Sequence, residues 1–194
     1  MPTPPVEMTD AEKLTLLMLC EIHKALKIKD GVDASFVEHT IYNGNTWALR
    51  WQMPGIFDVT ETPSGIVTAT VDYLDMWDAI ERSYKNLSKA DKAWLEKEVQ
   101  YLGKNPKFNG FDGNSESEYI GVARTLIEKM GRWSNFKDRD LDSHVPMSVD
   151  GMARMYAVYE SKRLTLGERW LSREELADIL KARIHPTMRD KQAS

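Results

Sequence analysis

A chain of 194 residues, 42% hydrophobic and 29% charged, has the composition of one folded globular domain and excludes a disordered or fibrous protein. Its 26 Lys and Arg against 30 Asp and Glu give a net charge of −4, which disfavours nucleic acid as a partner, although residues 103–194 carry a mild excess of base (16 basic, 14 acidic). The lone Cys20 rules out an intramolecular disulfide or a cysteine-based zinc site within one chain, and with no run of roughly 18–20 apolar residues the expectation is a cytoplasmic protein with no membrane span.

In chain order, residues 1–8 are Pro-rich and expected to be a flexible N-terminus. Thr9 with Glu12 forms a capping-box pattern that starts a helix near Asp10, running to about Lys29. Its apolar residues, Leu14, Leu16 to Cys20, Ile22, Ala25 and Leu26, cover more than one stripe of the wheel, so the helix is expected to be central and buried on several sides. Asp33 caps a shorter helix to about Tyr42, and 47–52 reads as a third, followed by a loop over 53–61.

Thr62–Pro63 opens the longest clean amphipathic helix, to about Asn86, with Ile66, Thr70, Tyr73, Leu74, Trp77, Ile80 and Tyr84 at helical spacing. Ser88 and Asp91 start another that ends at Gly103. A helix over about 115–130 follows, then one over about 146–162 with Met152, Met155, Tyr156 and Tyr159 on one stripe. A last helix is capped by Ser172 with Glu175 and stopped by His185–Pro186, and 186–194 is expected to be a flexible C-terminal tail. No segment alternates with period two for long enough to make a sheet. The expected fold is all-α, a multihelical single domain of about seven or eight helices over 9–185.

Chemistry-bearing motifs are few. The four histidines fall on different elements and show no metal-ligand spacing, so no metal and no cofactor is expected. Cys20 and His23, three apart, read as core packing. Asp72, Asp75 and Asp78 read as a solvated face, with Asp78 paired to Arg82. Six tryptophans and the Met/Tyr stripe read as core and inter-helix filling. AspSerHis at 142–144 reads as loop capping, because triad members converge from distant positions.

The densest mixture of aromatics, glycines and charges is 108–147, FNGFDGNSESEYIGVARTLIEKMGRWSNFKDRDLDSHVPM. Its glycines are suited to positive φ, Ser115 with Glu118 to capping, and Gly121 to a close helix crossing. Two readings compete for its polar residues. In one, Asp112, Glu116, Tyr119, Arg124, Glu128, Arg132 and Trp133 bind a small anionic ligand, with a carboxylate as acid or base and guanidinium forks on the anion. In the other, the same charges neutralise one another as an ionic latch, with Glu128 and Arg132 paired at i, i+4. Equal numbers of Arg and Glu favour the latch.

The pattern GFDGNSESEYIGVAR, continued by EKMGRWSNF, VPM and Arg154–Met155–Tyr156, resembles the YfbU-like family of bacterial proteins, and the start MTDAEKL at 8–14 is similar too. The matching positions include Gly110, Phe111, Asp112, Glu116, Tyr119, Gly121, Arg124, Gly131, Arg132, Phe136, Pro146 and Met147. That resemblance implies a multihelical protein without an assigned activity, and no catalytic residue follows from it. A non-enzymatic module that associates with itself or with an unidentified protein is the favoured reading. The alternative is a small-anion binder or enzyme using the Asp112/Glu116/Arg124/Glu128/Arg132 cluster.

Overall fold

The computed structural model describes residues 4–57, 61–143 and 148–185. His144, Pro146 and Met147 and the tail 186–194 lie outside the described residues. The all-α expectation holds, with nine α-helices among the described residues against the seven or eight expected. They sort into two compact units, one ending at Glu61 and the other beginning at Thr62.

In the first unit, α1 (Asp10–Ala25) starts on the expected capping box: Thr9 accepts from the Glu12 amide at 3.3 Å and its own amide donates to Glu12 at 2.7 Å. Asp33 caps α2 (Ala34–Tyr42) through the amides of Ser35 and Phe36. After α3 (Trp47–Gln52), the expected loop holds one more helical turn, α4 (Pro54–Phe57), because Pro54 supplies a preset φ at a first helical position. The core here is small: Cys20, Ala34, Val37 and Leu49 are buried, with Val6, Met8, Phe36, Ile41, Met53 and Phe57 against them. Thr46 donates to the Val6 carbonyl at 3.1 Å, which ties the N-terminal coil to this core.

Contrary to expectation, α1 is not buried on several sides. Cys20 is its one buried residue, while Leu14, Met18, Leu19 and Ile22 are exposed. Apolar width on a helical wheel reports how much surface could be buried, not how much neighbouring chain exists to bury it.

The second unit is organised on α5 (Ser64–Asn86), whose Leu74, Met76 and Ile80 have no exposure and whose Trp77 is nearly as deep. Around it pack α6 (Lys89–Val99), α7 (Ser117–Arg124), α8 (Ser148–Leu166) and α9 (Arg173–Ala182). Gln100 takes a left-handed conformation and turns the end of α6 into a 3-10 turn at Gln100–Gly103. Gly103 is required there, since a Cβ would lie 2.3 Å from the Leu95 carbonyl oxygen.

A ladder of two strands escapes sequence periodicity because each is two residues long: β1 (Phe111–Asp112) runs parallel to β2 (Asp142–Ser143). Phe111 donates to the Leu141 carbonyl at 2.9 Å. Gly110, at φ +84°, makes this approach possible, as a Cβ would stand 2.2 Å from that same oxygen.

The tryptophans divide. Trp77 is core, but Trp47, Trp51 and Trp170 are exposed, which corrects the expectation that all six fill the interior. Asp78 pairs with Arg82 at 2.8 Å as spacing implied.

Candidate functional site

The helix expected from about Ser115 begins at Ser117, and the expected Ser115/Glu118 cap is not what starts it. Asp112 instead closes the turn that leads into the helix. Its Oδ1 accepts from the amide and side chain of Asn114, its Oδ2 accepts from the Ser115 hydroxyl at 2.6 Å, and its carbonyl accepts from the Glu116 amide at 2.8 Å. An aspartate that closes a turn on its own following residues outcompetes a serine cap, because a carboxylate accepts more strongly than a hydroxyl.

Glu116 is buried, and its carboxylate holds three segments together. Oε2 accepts from the Asp112 amide at 2.7 Å and from the Ser148 hydroxyl, while Oε1 accepts from the Val149 amide at 2.8 Å. Ser148 and Val149 begin α8, so the negative charge also sits at the positive end of a helix dipole. Tyr119 lies one turn on, its ring 5.5 Å from Phe111 and stacked at 6.4 Å on Tyr73. Burial, with Glu116 and Glu118 nearby, holds the Tyr119 hydroxyl above its ordinary value. Burial is also the largest cause of the rise of Tyr73 to about 12.

The remaining four members diverge from this interior trio. Arg124, Glu128 and Arg132 are exposed, and none of the ion pairs between described residues includes them. The Glu128–Arg132 latch therefore does not form. Thr125–Lys129 is a π-helical turn in which Met130 donates to the Thr125 carbonyl, five residues back. Gly131 then turns left-handed at φ +66°, and the Arg132 amide reaches back to the Leu126 carbonyl. The extra residue per turn and the left-handed exit destroy the i, i+4 geometry on which the pairing depended.

Trp133 is half-buried in a left-handed conformation and donates from Nε1 to Asp75 at 3.0 Å. A Cβ on Gly121 would meet nothing within 4 Å, so this glycine serves no close helix crossing. Of the two glycines in FNGFDG, Gly110 uses positive φ and lies against backbone, whereas a Cβ on Gly113 would meet only the exposed Asp142 carboxylate at 2.0 Å, a side chain free to swing aside.

A latch does exist, with partners that spacing did not suggest. Glu81 on α5 takes Arg139 in a bidentate pair, 2.7 Å at each oxygen, and also accepts from the Phe108 amide at 2.9 Å. The Arg139 guanidinium lies 4.8 Å over Phe136, and the pair to Glu81 raises its pKa further. One signal was present in the sequence. Glu81 falls on the stripe of Leu74, Trp77 and Tyr84, and a charge on an apolar stripe implies a buried partner.

Among the described residues no group of three His, Cys, Asp or Glu could hold a metal ion, and no helix is long and apolar enough to cross a membrane. The His member of the 142–144 motif lies outside the described residues, while Asp142 and Ser143 form β2.

Fold and site together define a helical protein whose interior carboxylates fasten its own backbone. The chain belongs to the YfbU family: residues 6–182 match the family described as the YfbU domain. It is similar to the UPF0304 protein MJECS11 of Methanocaldococcus jannaschii, at 33% identity over 176 residues that cover 88% of this chain and 98% of the relative. That relative is archaeal, so the likeness is not confined to bacterial proteins. No solved structure matches. Neither the domain description nor the relative's name specifies an activity.

Proposed function

We propose that this protein is a cytoplasmic protein-interaction or self-associating module whose docking surface is the apolar face of its first unit. The observation that carries this reading is the apolar surface on α1, where Leu14, Met18, Leu19 and Ile22 each expose more than half of their area. Contiguous apolar patches of this kind mark association sites on folded proteins. By contrast, Asp112 and Glu116, the best-placed candidates for acid or base, spend their oxygens on backbone amides and serine hydroxyls of the same chain.

The test is light scattering across concentration combined with affinity capture. A concentration-dependent oligomer, or a stoichiometric partner lost on Leu14→Ser/Ile22→Ser, supports the module. A monomer at every concentration with no captured partner refutes it.

A second reading is favoured by the exposure of Arg124 and Arg132 without carboxylate partners among the described residues, which leaves two guanidinium forks available to a small anion. A thermal-shift series with inorganic phosphate and nucleotides separates the two. An anion at about 100 times its dissociation constant stabilises by roughly 2.7 kcal/mol, and Arg124→Ala/Arg132→Ala abolishes that shift without unfolding the protein.

A further inference from the structure

We infer that α1 pairs with the α1 of a second copy, antiparallel, about a two-fold axis beside Met18. This rests on the docking reading above and names the occupant of the surface.

Helix α1 carries two faces. Taken at about 100° per residue, Lys13, Leu16, Leu17, Cys20 and His23 lie on one side, where Cys20 is buried and the others are half-buried. Ala11, Leu14, Met18, Ile22 and Ala25 lie on the opposite side, all of them exposed. Leu14 is 62% exposed, Met18 56% and Ile22 52%.

The spacing of that stripe reads the same from either end: Ala11, Leu14, Ile22 and Ala25 stand 7, 4, 4 and 7 positions from Met18. An isologous contact demands a surface complementary to itself, and antiparallel packing about Met18 satisfies the demand. Leu14 then meets Ile22 of the second copy, Ala11 meets Ala25, and the two Met18 side chains meet at the axis. Methionine, with three rotatable bonds, packs readily against its own copy.

Charge selects the same direction. Residues 7–13 carry Glu7, Asp10 and Glu12 against Lys13, three acids and one base, net −2. Residues 21–29 carry Lys24, Lys27 and Lys29 against Glu21; Lys24 is already paired with Glu38 of α2, so Lys27 and Lys29 remain against Glu21, net +1. Antiparallel pairing lays each acidic end on a basic end and opposes the two helix dipoles, whereas parallel pairing stacks like on like.

The stripe's three large side chains, Leu14, Met18 and Ile22, with the flanking alanines, present well under the roughly 800 Å² per copy of a standard stable interface. An interface this small makes a reversible dimer rather than a permanent one. A bilayer surface fits less well. Residues 4–57 carry seven acids and five bases, the reverse of the basic flank by which interfacial helices hold anionic lipid.

The test uses the full-length protein. Sedimentation velocity from about 1 to 500 μM is expected to show a monomer–dimer equilibrium, and Met18→Glu to weaken it at least tenfold with an unchanged far-UV spectrum and melting temperature. In a Cys20→Ala background, Met18→Cys is expected to form a disulfide-linked dimer with itself, while Leu14→Cys links only when mixed with Ile22→Cys. A monomer throughout overturns the pairing. A dimer indifferent to Met18→Glu and yielding no cross-link also overturns it, but leaves self-association through another face, so the two readings fail separately. Leu14→Cys linking efficiently to itself indicates parallel pairing and overturns the antiparallel register. Co-sedimentation of a monomer with vesicles of phosphatidylcholine and phosphatidylserine overturns it in favour of a membrane surface.

Discussion

The two units use hydrophobic residues in opposite ways. From Thr62 onward the apolar side chains close a core in which Leu74, Met76, Ile80, Leu95, Phe111, Phe136 and Met155 have no exposure, and charged anchors on α5 fasten the irregular segment to it. Up to Glu61 four apolar residues among those described form the buried core, and much of the apolar surface there is exposed. The contrast teaches that apolar content does not by itself make a core. A segment of roughly 60 residues encloses little volume, so much of its apolar surface stays exposed.

The sharpest way to break this contrast is to compare the same truncation in each unit. Leu74→Ala is expected to cost about 3–5 kcal/mol in chemical denaturation, and Leu14→Ala under about 1 kcal/mol at concentrations where the chain is monomeric. Equal costs would mean that α1 is buried in solution.

Gly110→Ala follows at about 3 kcal/mol, since it combines a strained φ of +84° with a clash against the Leu141 carbonyl. Gly131→Ala, at φ +66° with nothing within 4 Å, should cost only about 1 kcal/mol and serves as the strain-only control. Glu116→Gln is expected to lose about 2–3 kcal/mol in urea denaturation, because an amide nitrogen cannot accept where Asp112, Ser148 or Val149 donates.

Acid separates an electrostatic contribution from packing in the second unit. The Arg169 guanidinium holds the Glu175 carboxylate down to about 2. A depressed folded-state pKa stabilises above the unfolded value near 4.5, and that stabilisation disappears as pH falls from there toward 2. Half of Arg169 is solvent-exposed, so the contribution is discounted to about 1 kcal/mol, and Glu175→Gln should flatten that limb of the stability profile by this amount. The smallest effect has the opposite sign. Gly121→Ala, on an open helical face, should raise stability by up to about 1 kcal/mol, measured as a higher melting temperature. A loss there would show that the π-turn beyond it depends on the glycine.

Much of the helical scaffold was legible residue by residue. Thr9/Glu12 and Ser172/Glu175 both form complete capping boxes, and the stripe from Thr70 to Ile80 is the buried face of α5. These signals are local: a cap or a stripe requires only residues within a turn or two of each other. The candidate site was legible only in part. Asp112, Glu116 and Tyr119 do converge, but Arg124 stays on the exposed face of α7, and Glu128 and Arg132 fail to pair because a π-turn adds a residue to the repeat without leaving a compositional trace.

By itself, then, the sequence determined an all-α chain, most of its helix starts, its family and the stretch where its polar residues gather. Only the tertiary structure decided which apolar face is covered and which carboxylate meets which donor. Glu81 and Arg139 are 58 positions apart, and α1 offers two apolar faces of comparable pattern. Periodicity within one element cannot choose between such faces, since the choice depends on how much chain elsewhere is available to pack against each.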